Sequence, residues 1–326
     1  MSKYAAHLVK GLFAKDIEQE ATRVGFGRGL LEAGKRDDAV WALCADLTES
    51  TNMHHFAEAF PDRYVEIGVA EQNLVTVSSG ISAMGKIPFC SSYAAFSPGR
   101  NWEQIRTTIA LNERPVKIVG SHAGVSVGPD GATHQMLEDI ALMRVLPHMV
   151  VVAPGDSVEA EKATLALSED KVDPAYLRLA RADSPIFTTE NSPFEIGRAY
   201  VLRTGSDITL AGTGPMTYQL LLAAEKLARK KIEAEVVHVP TIKPLDQATV
   251  IASAEKTGRV VTAEEAQAAA GFGGAIAELL SEHHPVPILR IGMQDRFGES
   301  GEPGELLEHF GLSGAKIAER IIDFIK

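Results

Sequence analysis

Short apolar runs rich in valine and isoleucine recur along this chain, most of them followed by a longer stretch with helical spacing. That alternation restricts the fold more than any other feature. Strands are expected at Val40–Cys44, Val116–Ser121, Met149–Val152, Ala175–Ala180, Ile208–Ala211, Ala234–Val237, Val260–Thr262 and Pro287–Ile291. Helices are expected at Ile17–Glu32, Ala70–Met84, Gln135–Val145, Val158–Leu167, Met216–Lys230 and Gly274–Glu282. Within Tyr218–Lys230, Leu220, Leu221, Ala224, Leu227 and Ala228 share one face, while Glu225, Lys226 and Arg229 lie opposite. Strands that are apolar throughout need cover on both faces, and strands that alternate with helices pair in parallel. The expected fold class is α/β, with two domains, each a mainly parallel sheet with helices on both faces.

The 326 residues suit two domains. Arg181–Gly197 (RADSPIFTTENSPFEIG) clusters proline, serine, threonine and asparagine, and strand–helix alternation restarts after it, so it reads as a linker. Domains are therefore expected at 1–190 and 191–326. With 43 acidic against 32 basic side chains, the net charge of −11 argues against a broad nucleic-acid surface but leaves room for a local anion pocket. Cys44 and Cys90 are the two cysteines, which excludes a disulfide framework and a CxxC zinc pair. The first residues are charged where a signal peptide would be apolar, and no apolar run is long enough to cross a bilayer. A cytoplasmic location without membrane contact is expected.

In open parallel sheets, ligands sit beyond the C-terminal ends of the strands, and four segments there could carry chemistry. Glu71 falls in the first turn of a helix among Val69, Leu74, Val77 and Ile81. A first-turn carboxylate can simply stabilise the helix dipole. It can also be a carboxyl whose pKa is raised by apolar neighbours, ready to share a proton with a ligand nitrogen. The loop SHAGVSVGPDGATHQ places His122 at a strand end and then Asp130 and His134, with Gly124, Gly128 and Gly131 between them. Two histidines and an aspartate suit proton transfer near neutral pH, and their spacing does not suit a metal. Arg181 continues the face of Leu177 and Leu179 past the strand end, as either an anion ligand or a structural ion-pair partner. Phe89, Tyr93, Phe96 and Trp102 fall close together, as core packing or as a platform for a flat heteroaromatic ring. GFGRGL lies within a helical pattern, AGTGPM lacks a full GxGxxG, and the pairs His54–His55 and His283–His284 suit surfaces or helix ends.

Together these segments resemble the C-terminal half of a transketolase. The resemblance covers nearly the whole chain, from ATRVGFGRGL through CADLTES, IGVAEQN, VGPDGATHQ and LRLARADSP to QDRFGESGEP. It implies a thiamine-diphosphate-binding, pyrimidine-type first domain and a smaller transketolase C-terminal-like domain without the cofactor. Glu71 then matches the glutamate that hydrogen-bonds the pyrimidine N1′ and favours the tautomer able to deprotonate the thiazolium. His134 and Asp130 match residues facing the substrate carbonyl and hydroxyls, with His134 transferring a proton. Arg23, Ser50, His122 and Arg181 match the pocket for the sugar phosphate, and Asp46 an aspartate near the cofactor and the subunit contact. Phe96 is the expected stacking ring, with Phe89 and Tyr93 as substitutes.

Full-length transketolases carry a preceding domain whose GDG…Asn motif holds Mg²⁺ and the diphosphate, and no GDG occurs in this chain. The resemblance is therefore to the separately encoded C-terminal subunit of a split transketolase. It implies an N-terminal partner subunit carrying GDG…Asn, which supplies the Mg²⁺ ligands in an α2β2 heterotetramer. The implied reaction moves a two-carbon ketol unit from a ketose phosphate to an aldose phosphate. The alternatives are a β-type E1 subunit of a 2-oxoacid dehydrogenase, a 1-deoxyxylulose 5-phosphate synthase, and a regulatory subunit that has kept the fold.

Overall fold

A computed structural model describes residues 3–326 and shows two main sheets. The first runs from edge to edge through Thr241–Lys243, Val150–Val152, Ala175–Arg178, Lys117–Ser121, Ile87–Tyr93, Val40–Cys44 and Tyr64–Glu66. Every pairing among its last six strands is parallel, so their C-terminal ends share one edge. The second sheet runs through Ile288–Met293, Val260–Gln267, Ile208–Gly212, Ala234–His238 and Tyr200–Arg203, with only the last strand antiparallel.

Both faces of the first sheet are covered, as its apolar strands require. Val40, Ala42 and Cys44 pack with Phe26 and Leu30 of the helix Thr22–Arg36, and with Ala160, Ala163 and Leu167 of Ser157–Glu169. On the opposite face, Leu43 and Cys90 meet Leu74 and Val75 of the helix Glu71–Ala83. That second cluster runs on without a break into Val237 of the second sheet and Phe272 and Ile276 of the helix Phe272–His283. The glycines of GFGRGL serve close helix packing. A Cβ on Gly25 would lie 1.8 Å from the Ser157 carbonyl oxygen, and one on Gly29 would lie 2.8 Å from that of Glu161.

Several boundaries differ from the sequence pattern. The first helix begins at Thr22, because Gln19–Glu20 pairs antiparallel with Ser184–Pro185. The helix expected from Gln135 is confined to Asp139–Arg144, because Gln135 and Leu137 bond to the second sheet and its loops. Ile87–Tyr93 is a central strand that the pattern hides, since Pro88 and two serines weaken its β signal. The linker candidate Arg181–Gly197 is pinned in place. Asp156 accepts the backbone N–H groups of Phe187 and Thr188, at 2.9 and 2.7 Å. Thr241–Lys243 returns to the first sheet as an antiparallel edge strand beside Val150–Val152.

Candidate active site

Neighbouring strand ends bring the sequence candidates together. Glu71 opens its helix next to the strand end at Glu66 and is 2% exposed. Arg100 donates to the Glu71 carboxylate at 2.7 Å, and the Asn101 side chain holds the Glu71 carbonyl at 2.8 Å. The Arg100 guanidinium also lies over the Phe96 ring, 4.8 Å from its centroid. Phe96 follows the strand Ile87–Tyr93, stacks with Tyr93 at 6.2 Å and meets His134 edge-on at 5.4 Å. Tyr93 in turn stacks on His122, with centroids 3.8 Å apart. An unbroken chain of contacts thus runs from Glu71 to both loop histidines.

Beyond His122 the site is cationic. His122 is buried, adopts a left-handed backbone with φ of 58°, and shares a 2.8 Å hydrogen bond through Nδ1 with the Ser121 hydroxyl. Such a backbone is uncommon for a residue with a side chain and fixes the direction of the ring. Burial, followed by the positive charges of Arg23 and Arg181 and by His134, lowers its pKa to about 3. Burial and Arg181 also lower the Arg23 pKa. Arg23 donates to the Ser50 carbonyl at 2.9 Å and Arg181 to the Val127 carbonyl at 3.1 Å. Two neighbouring guanidiniums held by neutral carbonyls form a field that an anion would satisfy.

A family model described as "Transketolase, pyrimidine binding domain" matches residues 18–185, and one described as "Transketolase, C-terminal domain" matches residues 197–317. The chain is 42% identical to a putative transketolase C-terminal section of Methanocaldococcus jannaschii, over 93% of this chain and 96% of that protein. It is 42% identical to the 6-deoxy-6-sulfo-D-fructose transketolase subunit SqwH of Clostridium sp. (strain MSTE9), over 94% of each. A solved structure described as a split gene transketolase, inactive beta4 tetramer, superposes with a TM-score of 0.87 at 42% identity. That match covers 93% of this chain and 97% of the other. The chain belongs to the transketolase family.

Transketolase-family membership implies thiamine diphosphate, and the residues present fit its aminopyrimidine. A cavity of about 390 Å³ is lined by Glu71, Val69, Asn73, Thr76, Arg100 and Gln104, among others. It offers the buried Glu71 carboxylate to a heterocycle with a ring nitrogen, and Arg100, which lines it, lies over the half-buried Phe96 ring. Among the described residues, no group of three or more His, Cys, Asp or Glu side chains is arranged to hold a metal ion.

Not every candidate of this transketolase-family chain joins the cluster. Phe89 sits mid-strand with its ring fully buried against Phe26, so it is a core residue and not a substitute for Phe96. Asp46 is exposed, has φ of 57°, and is held through its backbone N–H by Glu66 at 2.7 Å. Asp130 is exposed in the Gly-rich loop. Ser50 reaches the site through its carbonyl on Arg23. The pairs His54–His55 and His283–His284 mark helix ends. Arg100 was missed, although its place four residues after Phe96 was a signal. Arg178 is buried against Asp139 at 2.8 Å.

Proposed function

We propose that this chain is the C-terminal subunit of a split transketolase that transfers a two-carbon ketol unit between sugar phosphates. Residues 1–190 would form the pyrimidine-binding domain and 191–326 the C-terminal domain. A separate N-terminal subunit with a GDG…Asn motif would hold Mg²⁺ and the diphosphate in a cytoplasmic α2β2 assembly. The single observation that carries this reading is the contact chain from Glu71 through Arg100 and Phe96 to His134 and, through Tyr93, to His122, on which the positive charges of Arg23 and Arg181 act. Its support from relatives is that two of them, matched over nearly their full length, are named as a transketolase section and a transketolase subunit.

Thiamine diphosphate, when bound, supplies the carbon nucleophile that accepts the two-carbon unit. Glu71 would hold a proton for the pyrimidine N1′, and Phe96 would offer its ring to the heterocycle. His134 moves a proton at the substrate carbonyl or hydroxyl, work worth roughly 10²–10⁴-fold. Neutral His122 presents one hydrogen-bonding nitrogen to the sugar while Ser121 occupies the other. Arg23 and Arg181 hold the phosphate at the far end, which fixes the reacting carbon by length. Asp130, exposed on the same loop, would face the sugar hydroxyls from outside the cluster.

The test is ketol transfer from xylulose 5-phosphate to ribose 5-phosphate with thiamine diphosphate and Mg²⁺. The chain alone is compared with the chain co-purified from its host. Activity only in the co-purified sample, with a second polypeptide carrying GDG…Asn, is the expected result. Inactivity with such a partner would move the assignment to another donor, and full activity of the chain alone would overturn the split assembly.

A further inference from the structure

The loop that carries His122, Asp130 and His134 belongs to the first sheet, yet it is held by the second. Ser126 donates its backbone N–H to the carboxylate of Glu265, on the strand Val260–Gln267. A Cβ on Gly124 would lie 2.4 Å from that carboxylate oxygen, and Gly124 has φ of 89°. The loop therefore lies directly on Glu265 and requires glycine there. Further along, Gln267 donates its backbone N–H to the Leu137 carbonyl at 2.8 Å. Gln135, next to His134, donates to the Glu299 carbonyl at 2.8 Å and to the Val125 carbonyl at 3.0 Å. The late GES segment of the chain thus bonds the same loop.

Glu265 is 4% exposed, and its own carbonyl accepts from Arg178 at 2.8 Å, so its side chain has a fixed origin. A cavity of about 310 Å³ beside it is lined by Ser126, Glu265, Asp183, Met216 and Leu307, among others. On this side, Ser126 borders open space and is not wedged by apolar packing. The Glu265 carboxyl is what meets its backbone N–H, between the buried side chains of Val125 and Val127.

We propose that Glu265 is a positioning residue for the site, acting through the Ser126 N–H and its contact with Gly124 to set where the loop presents His122 and His134. The C-terminal domain then has a defined task as the clamp on a loop whose histidines it does not itself supply. The link to catalysis rests on the transketolase reading. The link to loop order does not.

Hydrogen exchange on the full chain tests the clamp. Glu265→Ala should raise exchange across residues 122–135 by about tenfold, the loss of one hydrogen bond to a buried acceptor. Exchange in the helix Ser157–Glu169 should not change. Glu265→Gln keeps an acceptor and should stay near wild type, as should Ser126→Ala, which keeps the backbone N–H. Should the alanine variant unfold, Glu265→Met fills the volume without an acceptor and carries the same expectation. Unchanged loop exchange in the acceptor-less variant, or an equal rise over the whole chain, would overturn the proposal. In the co-purified complex, the acceptor-less variant should lower kcat and the glutamine variant should restore it. If the wild-type complex shows no ketol transfer, the transketolase reading fails while the exchange comparison still decides the clamp.

Discussion

Arg100 donates to the buried Glu71 carboxylate at 2.7 Å and lays its guanidinium 4.8 Å from the Phe96 centroid. One flat cation therefore touches both groups assigned to the pyrimidine, the carboxylate at its edge and the ring at its face. A heterocycle sharing a proton with Glu71 makes the same two demands. Glu71→Gln keeps the side-chain volume and an acceptor for Arg100 but removes the shared proton. The expected outcome is an unchanged melting temperature and a loss of ketol transfer in the complex of roughly 10²-fold or more. Near-normal turnover would remove Glu71 from the chemistry.

His122 should stay neutral across the physiological range. Its pKa is lowered from 6.5 to about 3, so between those values the unfolded chain binds a proton that the folded chain does not. Its contribution to stability therefore falls as pH drops from 6.5 toward 3. In an NMR titration, the His122 ring resonance should not move between about pH 8 and pH 5. Inorganic phosphate between Arg23 and Arg181 would offset their positive field, and the titration should then shift upward. An ordinary histidine titration without phosphate would contradict the burial and charge argument.

Glu264 works in the opposite direction. Its carboxylate accepts the N–H groups of Phe272 and Gly273 at 2.7 Å each, yet burial raises its pKa from 4.5 to about 7. Between those values the folded chain keeps a proton that the unfolded chain has released, so this contribution falls as pH rises through that window. Urea midpoints of wild type and Glu264→Gln should therefore change in relation to each other, with the wild type losing ground as pH rises. A difference independent of pH would show that Glu264 is ionised throughout.

The legible part of the fold was the part with a short-range period. Apolar strands such as Val40–Cys44 and the helix at Glu71 announce themselves locally, and the strand ends then point to His122 and Glu71. Phe89 and Phe96 looked alike because Pro88 and the serines hid the strand that sends one ring to the core and the other to its rim. Arg100 and Glu265 lie beyond local reading for a different reason. Their contacts join residues 29 and 139 positions apart, and only the folded chain brings them together. The DRFGESG motif was visible as a pattern, but its bond to Gln135 is a tertiary fact.

Asp139 and Arg178 offer a further way to separate stability from site geometry. Tyr176 and Arg178 both donate to the same Asp139 oxygen at 2.8 Å, and the two charged side chains are 0% and 7% exposed. Asp139→Ala leaves a buried guanidinium without its counter-charge and should cost about 3–5 kcal/mol in urea denaturation. Replacing both, as Asp139→Leu with Arg178→Met, removes the uncompensated charge and should recover much of that loss. Arg178 also anchors the Glu265 carbonyl, so the double variant should still show raised exchange in residues 122–135. Recovered stability together with a loosened loop would show that this pair orders the site beyond holding the core together. Recovery of both would reduce it to a packing element.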